Sequence, residues 1–187
     1  SVAENQTAIT TVAGSDVDED ALTIALSGTD AASFNLSDSN VLTFVEAPDY
    51  ETKNSYSATV TVSDGTDSVT QAITVVVYDV NDRAPIISSS ATFSADENQT
   101  SIPGCVFTSD ADGDPLIYSI SGSEINISNT GVLSFISAPD YETKNSYDAT
   151  VTVSDSKSSK TATLRVLIND IDESPTNNVP TISSAAT

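Results

Sequence analysis

A chain of 187 residues with 27 acidic and 6 basic side chains carries a formal charge of -21 and contains no histidine. Such a surface repels nucleic acid and anionic membranes, so no nucleic-acid binding is expected and cations are the expected partners. The single cysteine, Cys105, excludes an intramolecular disulfide framework, and no apolar run is long enough for direct membrane insertion.

Taken in chain order, short stretches rich in Val, Thr, Ile, Tyr and Phe alternate with polar residues. Gly, Asn, Asp, Ser and Pro separate them at short intervals, a pattern that predicts all-β sandwiches. The clearest strands fall at Leu22–Leu26, Val41–Phe44, Tyr56–Val62 and Val69–Tyr78, then at Leu116–Ile120, Val132–Phe135, Tyr147–Val153 and Thr161–Ile168. Within Tyr56–Val62 the residues Tyr56, Ala58, Val60 and Val62 share one face, as a strand buried on one side requires. No segment sustains a helical period, and Cys105 reads as a strand residue without chemistry.

The ten residues Ala47–Tyr56 recur unchanged at Ala138–Tyr147, 91 positions later (138 − 47). The match runs on through Asp64 and Asp155, with Ser57 against Asp148 as the one difference. A coincidence of that length marks a tandem repeat of domain size. Two units of roughly 90 to 100 residues each follow, enough for one core apiece.

The boundary between them is expected at Asp79-Val-Asn-Asp-Arg-Ala-Pro85, where Pro85 fixes its φ angle and offers no donor to a continuing strand. A second boundary follows at Asp170-Ile-Asp-Glu-Ser-Pro175. The expected organisation is therefore 1–83, a repeat without its first strand; 84–175, a complete repeat; and 176–187, a linker with the first strand of a following repeat. The strand expected over Pro85–Thr92 is copied at Pro180–Thr187, whereas Glu4-Asn5 aligns with Glu97-Asn98 and so sets Ser1 against Ser94.

Each unit carries four acidic groupings: Glu4 or Glu97; Asp16-x-Asp18 or Asp110-x-Asp112; Asp49-x-Glu51 or Asp140-x-Glu142; and Asp64 or Asp155 at the end of a strand. Residues two apart on extended backbone point the same way, so each pair can face one ion. Oxygen donors without imidazole or paired thiolates select a hard cation, and mixed carboxylate and carbonyl donors favour calcium over magnesium. An EF-hand is excluded, because Pro115 and Ser121 stand where the loop beginning at Asp110 needs Gly and Glu, as do Ala21 and Ser27 for Asp16.

Other chemistry is weaker. Paired carboxylates could serve a glycosidase, but the pairs recur beside both boundaries at ligand-like spacing, and no enzyme is expected. Asn5, Asn35, Asn98 and Asn126 match the N-glycosylation pattern, which chance explains in a chain so rich in Asn, Ser and Thr. Tyr50 and Tyr141 are expected to anchor their segments to the core and not to stack on sugars.

Glu-Asn, Asp-x-Asp, Asp-Tyr-Glu, Val-Ser-Asp and the segment Asp-Val-Asn-Asp-Arg-Ala-Pro, five motifs in the same order, together resemble cadherin repeats, specifically the cadherin-like repeats of large bacterial surface proteins. The resemblance implies two tandem seven-stranded Greek-key, immunoglobulin-like β-sandwiches with calcium between consecutive repeats. It implies Glu4, Asp49, Glu51 and Asp82 with the Val80 carbonyl as one part of the cluster. Asn81, Asp110, Asp112 and Asp155 with the Arg83 carbonyl form the other. Asn is usual at Arg83, and a carbonyl ligand survives that change. Seven of these residues are carboxylates, close to −7 in charge, which about three divalent ions nearly neutralise. Partial sets remain at Asp16, Asp18 and Asp64 and at Glu97, Asp140, Glu142, Asp172 and Glu173.

The function expected on this reading is a calcium-rigidified spacer or adhesion segment of an extracellular, cell-surface protein, with calcium and neighbouring repeats as partners. The alternatives are a module binding carbohydrate or a protein receptor, a homophilic adhesion module, or a filament subunit that exchanges its terminal strand with another copy.

Overall fold

The structure is a computed structural model that describes residues 1–173. The expected Pro180–Thr187 strand and the 176–187 linker lie outside the described residues. The chain divides into two compact units, with the boundary between Asp82 and Arg83.

Unit 1 is built from β1 (Val2–Ala3), β2 (Ala8–Thr11), β3 (Thr23–Ser27), β4 (Phe34–Leu36), β5 (Val41–Phe44), β6 (Ser55–Ser63) and β7 (Ser68–Tyr78). They form a four-stranded sheet in the order β1-β7-β6-β3 and a three-stranded sheet in the order β2-β5-β4. All pairs are antiparallel except β1 on β7, where Val2 lies against Val77. The chain alternates between the sheets from β1 to β4 and again from β5 to β6, while β4–β5 and β6–β7 pair as neighbours within one sheet, a Greek-key arrangement of two sheets closing on one core.

Unit 2 repeats the plan with β8 (Ile86–Ile87), β9 (Thr92–Asp96), β10 (Ser101–Cys105), β11 (Thr108–Ser109), β12 (Ile117–Ile120), β13 (Ile125–Ile127), β14 (Val132–Phe135), β15 (Ser146–Ser154) and β16 (Ser159–Asn169). The sheets run β12-β15-β16-β9 and β10-β14-β13, with β8 and β11 paired separately. The strand expected over Pro85–Thr92 is split: Pro85 and Ser88–Ala91 interrupt it, β8 pairs with β11, and β9 runs parallel to β16. The expected start at Leu116 moves to Ile117, just beyond Pro115.

The cores follow the strand alternation. Ala58 and Val60 of β6, Val75 and Val77 of β7, and Phe34, Leu42 and Phe44 from the facing sheet are buried in unit 1. In unit 2 the corresponding set is Ala149, Val151, Val153, Leu164, Val166, Ile125, Leu133 and Phe135. Val153 is fully buried, whereas its counterpart Val62 is half-buried and lines an open groove with Thr11–Ser15, Val69 and Ile73. Ile87 and Phe93 pack on the core of unit 2, and no described residue plays that part in unit 1. Cys105 lies half-buried in β10.

The duplicated segment has a packing reason for its constancy. Tyr56 meets Phe44 edge-on at 4.9 Å and Tyr147 meets Phe135 in the same way at 4.9 Å. Lys53 Nζ sits 4.7 Å over the Tyr56 ring and donates to Asp30 Oδ1; Lys144 Nζ sits 4.3 Å over Tyr147 and donates to Glu124. Tyr50 and Tyr141 are partly buried against their cores, as expected.

The β13–β14 turn needs a left-handed residue. Gly131 takes φ 78 there and its carbonyl accepts from Val106 N at 2.8 Å, while Asn40 at φ 62 does the same for Val12 N at 2.8 Å. A Cβ on Gly131 would lie 2.5 Å from the Val106 carbonyl oxygen. Gly131→Ala is therefore expected to destabilise unit 2 by about 2–3 kcal/mol, combining the left-handed cost with that clash, and Gly131→Asn by less. Denaturant unfolding measures both, and an unchanged midpoint for the alanine variant would contradict the account.

Candidate metal centres

Glu4 and Glu97, each 3 % exposed, organise the acidic ends of the units. Glu4 follows β1, and its carboxylate accepts from Tyr50 N through Oε2 and from Val80 N through Oε1, both at 2.8 Å. Glu97 repeats this with Tyr141 N and Ile171 N, again at 2.8 Å. One buried carboxylate thus ties the Asp-Tyr-Glu segment to the chain leaving the last strand of the unit. Charge-assisted bonds to two backbone donors compensate the cost of burying the charge.

At this end of unit 1 Glu4, Glu51 and Asp79 each offer an oxygen within 4.8 Å of the others, and Glu51 and Asp82 are equally close. Asp49 starts the turn beside them, its Oδ2 accepting from Thr52 Oγ1 at 3.1 Å. Val80 is held there through its N–H, and Asn81 presents a buried side-chain oxygen. Asp79 was not among the residues anticipated from sequence; its place two positions before Asn81, at the exit of β7, was the available signal.

The same end of unit 2 brings together Glu97, Asp140 and Glu142 within 4.8 Å. Asp140 is lowered from its ordinary pKa by the Thr143 hydroxyl and backbone N–H. Glu142 is raised: a bond from its own backbone opposes the shift, but desolvation and the charges of Glu97, Asp170 and Asp140 outweigh it. Glu173 accepts from the Asn98 side chain, and Asp172 stands at the position of Asn81.

The opposite end of unit 2 holds Asp110, Asp112 and Asp114, whose oxygens lie within 4.8 Å of one another. Asp110 Oδ1 accepts from Asp112 N at 3.1 Å and Asp114 N at 3.3 Å, a turn that Gly113 permits at φ 75. Asp110 Oδ2 is buried with no hydrogen-bond partner among the described residues. Asp112 Oδ2 accepts from Arg83 N at 2.8 Å. Asp155 is 2 % exposed, and its Oδ1 accepts from Lys157 N at 2.7 Å and Ser158 N at 2.5 Å. Asp114 is raised by desolvation and by the charges of Asp110, Asp112 and Asp155. Sequence reasoning set the Asp110-x-Asp-x-Asp spacing aside with the EF-hand and so missed Asp114.

Unit 1 carries the corresponding turn, in which Asp16 Oδ1 accepts from Asp18 N and Asp20 N, with Glu19 at φ 64 in place of Gly113. Asp64 Oδ1 accepts from Asp67 N and Thr66 N, both at 2.7 Å, and these bonds lower its pKa. Asp16 and Asp110 are both half-buried, whereas Asp18 is exposed where Asp112 is half-buried and Asp64 is half-buried where Asp155 is buried.

Carboxylates this close repel by roughly 1 kcal/mol per pair in water and several at the lower effective dielectric of a protein surface. An oxygen-only donor set that concentrates negative charge, and in Asp110 Oδ2 buries an acceptor without a donor, fits a hard divalent cation. The two buried glutamates supply a separate test of the architecture. Glu97→Ala strips acceptors from Tyr141 N and Ile171 N and should cost unit 2 about 2–4 kcal/mol, whereas Glu97→Gln keeps one acceptor and should cost less. Chemical denaturation distinguishes them, and equal midpoints for the two variants would contradict the bridging role.

Comparison with known proteins bears on the fold. Human cadherin-23 is 27% identical over 180 residues, covering 88% of this chain; the chain spans only 5% of that protein's length. The protocadherin gammaB7 EC3-6 cis-dimer structure superposes with TM-score 0.74 at 26% identity, over 92% of this chain and 49% of that one. Mouse cadherin-23 EC22-24 gives TM-score 0.73 over 92% of this chain and 63% of that one, and its 24% identity speaks to fold alone. The repeats are cadherin-like, and the fold is the tandem sandwich expected. Residues 81–184, more than half of the sequence, match the model of the bacterial Ig domain, and the chain belongs to that family.

Proposed function

We propose that this chain is a calcium-binding, cadherin-like segment of an extracellular cell-surface protein, in which calcium stiffens consecutive repeats into a spacer. The observation that carries the reading is the gathering of carboxylates at the ends of both units, including the buried Asp110 Oδ2 that no donor among the described residues meets.

In this proposal Glu4, Asp49, Glu51 and Asp82, now with Asp79, supply the ligands that unit 1 brings to its end, with the Val80 carbonyl. Asn81 and the Arg83 carbonyl, on the same short peptide, join Asp110, Asp112 and Asp155 of unit 2, with Asp114 as an addition. Continuity of the chain through Asp79–Arg83 is what supports sharing ions between the two sets. Glu97, Asp140, Glu142, Asp172 and Glu173 form the equivalent set toward a following repeat, and Asp16, Asp18 and Asp64 toward a preceding one. The repeats are taken to run 1–83 and 84–175, with 176–187 leading into the next. Bound calcium supplies the positive charge that cancels carboxylate repulsion; the protein's part is to hold the oxygens in place and to keep competing donors out.

A second reading is self-association. It is supported by the likeness to a protocadherin whose structure is a cis-dimer, and it is compatible with the first.

Calcium at about a hundredfold its dissociation constant should add about 2.7 kcal/mol per linked site, and a chelator should remove it. For units of this size that corresponds to a fall in melting temperature of roughly 10 °C or more. Asp82→Ala should remove heat from a calorimetric calcium titration, and small-angle scattering should show a wider spread of interdomain angles in chelator. A melting curve and scattering profile indifferent to chelator would refute the calcium spacer. Sedimentation at rising concentration separates a dimer from a monomer.

A further inference from the structure

The Glu-Asn dipeptide at the head of each unit contains a second device. Asn5 and Asn98 both adopt φ 62, the left-handed region that asparagine enters more readily than most residues. The reversal of backbone direction sends each glutamate into the protein and the next side chain outward: Glu4 and Glu97 are buried while Asn5 and Asn98 are exposed. Each asparagine is then fixed at both ends. Its backbone N–H donates to a buried proline carbonyl, Asn5 to Pro48 at 3.0 Å and Asn98 to Pro139 at 2.9 Å. Its side-chain amide donates to a carboxylate near the C-terminal limit of the same unit's chain, Asn5 to Asp82 Oδ2 and Asn98 to Glu173 Oε1.

Asp82 and Glu173 occupy aligned positions but differ by one methylene. Two acids of different length meet the same amide, so the contact follows from where the left-handed turn aims the asparagine. We propose that Asn5 is a positioning residue for the calcium site. Its amide takes Oδ2 of Asp82 and so sets the orientation in which that carboxylate would meet the ion. Asn98 does the same for Glu173. The proposal rests on the calcium reading above.

The chemistry favours an amide over a charged donor here. A lysine or arginine would hold the carboxylate as well but would add a positive charge beside the ion. An amide gives a charge-assisted bond without that repulsion. Second-sphere partners of this kind commonly alter metal affinity by about tenfold or more when removed.

Asn5→Gly tests the idea cleanly, because glycine keeps the left-handed backbone and the bond to Pro48 while deleting the amide. In calorimetric titration it should weaken calcium binding about tenfold, with melting in chelator close to that of the unaltered chain. A metal-free readout accompanies it: in chelator, the Asn5 side-chain amide protons should be shifted and slowed in exchange by NMR. Both features should vanish in Asp82→Ala. Calcium affinity unchanged by Asn5→Gly, or Asn5 amide protons indifferent to Asp82→Ala, would overturn the positioning role while leaving the calcium site standing. No calcium heat from the unaltered chain would instead strike the calcium reading, and this proposal with it.

Discussion

One buried carboxylate per unit determines much of what surrounds it. Glu4 and Glu97 satisfy two backbone donors each, and those donors come from segments far apart in sequence, the Asp-Tyr-Glu turn and the exit of the final strand. Burying an uncompensated charge would cost far more than any single surface contact contributes. The geometry of the acidic ends therefore depends on this bond pair. Without it, Glu51 and Asp79 would have no common reference, and their mutual repulsion would separate them.

The sandwich supplies the rest of the support. Tyr50 and Tyr141 are seated against the cores between two acidic neighbours, so the carboxylates on either side project from a fixed point. Asp110 and Asp155 are held by backbone N–H groups of their own turns, which leaves their remaining oxygens oriented by local structure. Repulsion concentrated in this way is a store of energy on which the proposed calcium binding would draw. At Asp114 and Glu142 desolvation does most to raise the carboxyl pKa, and the neighbouring carboxylates add to it.

Much of this was legible in the chain. Strands such as Val41–Phe44 and Val132–Phe135 fall where alternation and flanking turn residues put them. The acidic groupings are found together because their spacing repeats in both units. What escaped reading has physical reasons. β1, β8 and β11 are two residues long, too short for any period to register. β10 contains Pro103 and Gly104, which its bulge accommodates but which count against a strand in sequence. Asp79 and Asp114 were overlooked because each is defined by a partner distant in sequence or by a turn whose closure only the backbone reveals. The left-handed turn at Asn5 and Asn98 leaves no mark beyond residue type.

The near-identity of Ala47–Asp64 and Ala138–Asp155 raises a problem of self-recognition during folding, since tandem copies can exchange strands and become trapped. Ser57 against Asp148 is the sole difference along eighteen positions, and its neighbours turn it into a discriminator. Asp148 lies opposite Arg165 on β16 and binds it through both oxygens, at 2.7 and 2.8 Å, whereas Ser57 lies opposite Thr74 and donates its backbone N–H to Asp30. Were β15 to enter the place of β6, Asp148 would meet the Asp30 carboxylate; were β6 to enter the place of β15, Arg165 would lose its partner. An exposed ion pair of this kind contributes little to stability. Its value lies in making the wrong strand the worse fit, so that a chain composed of copies still folds each copy onto itself.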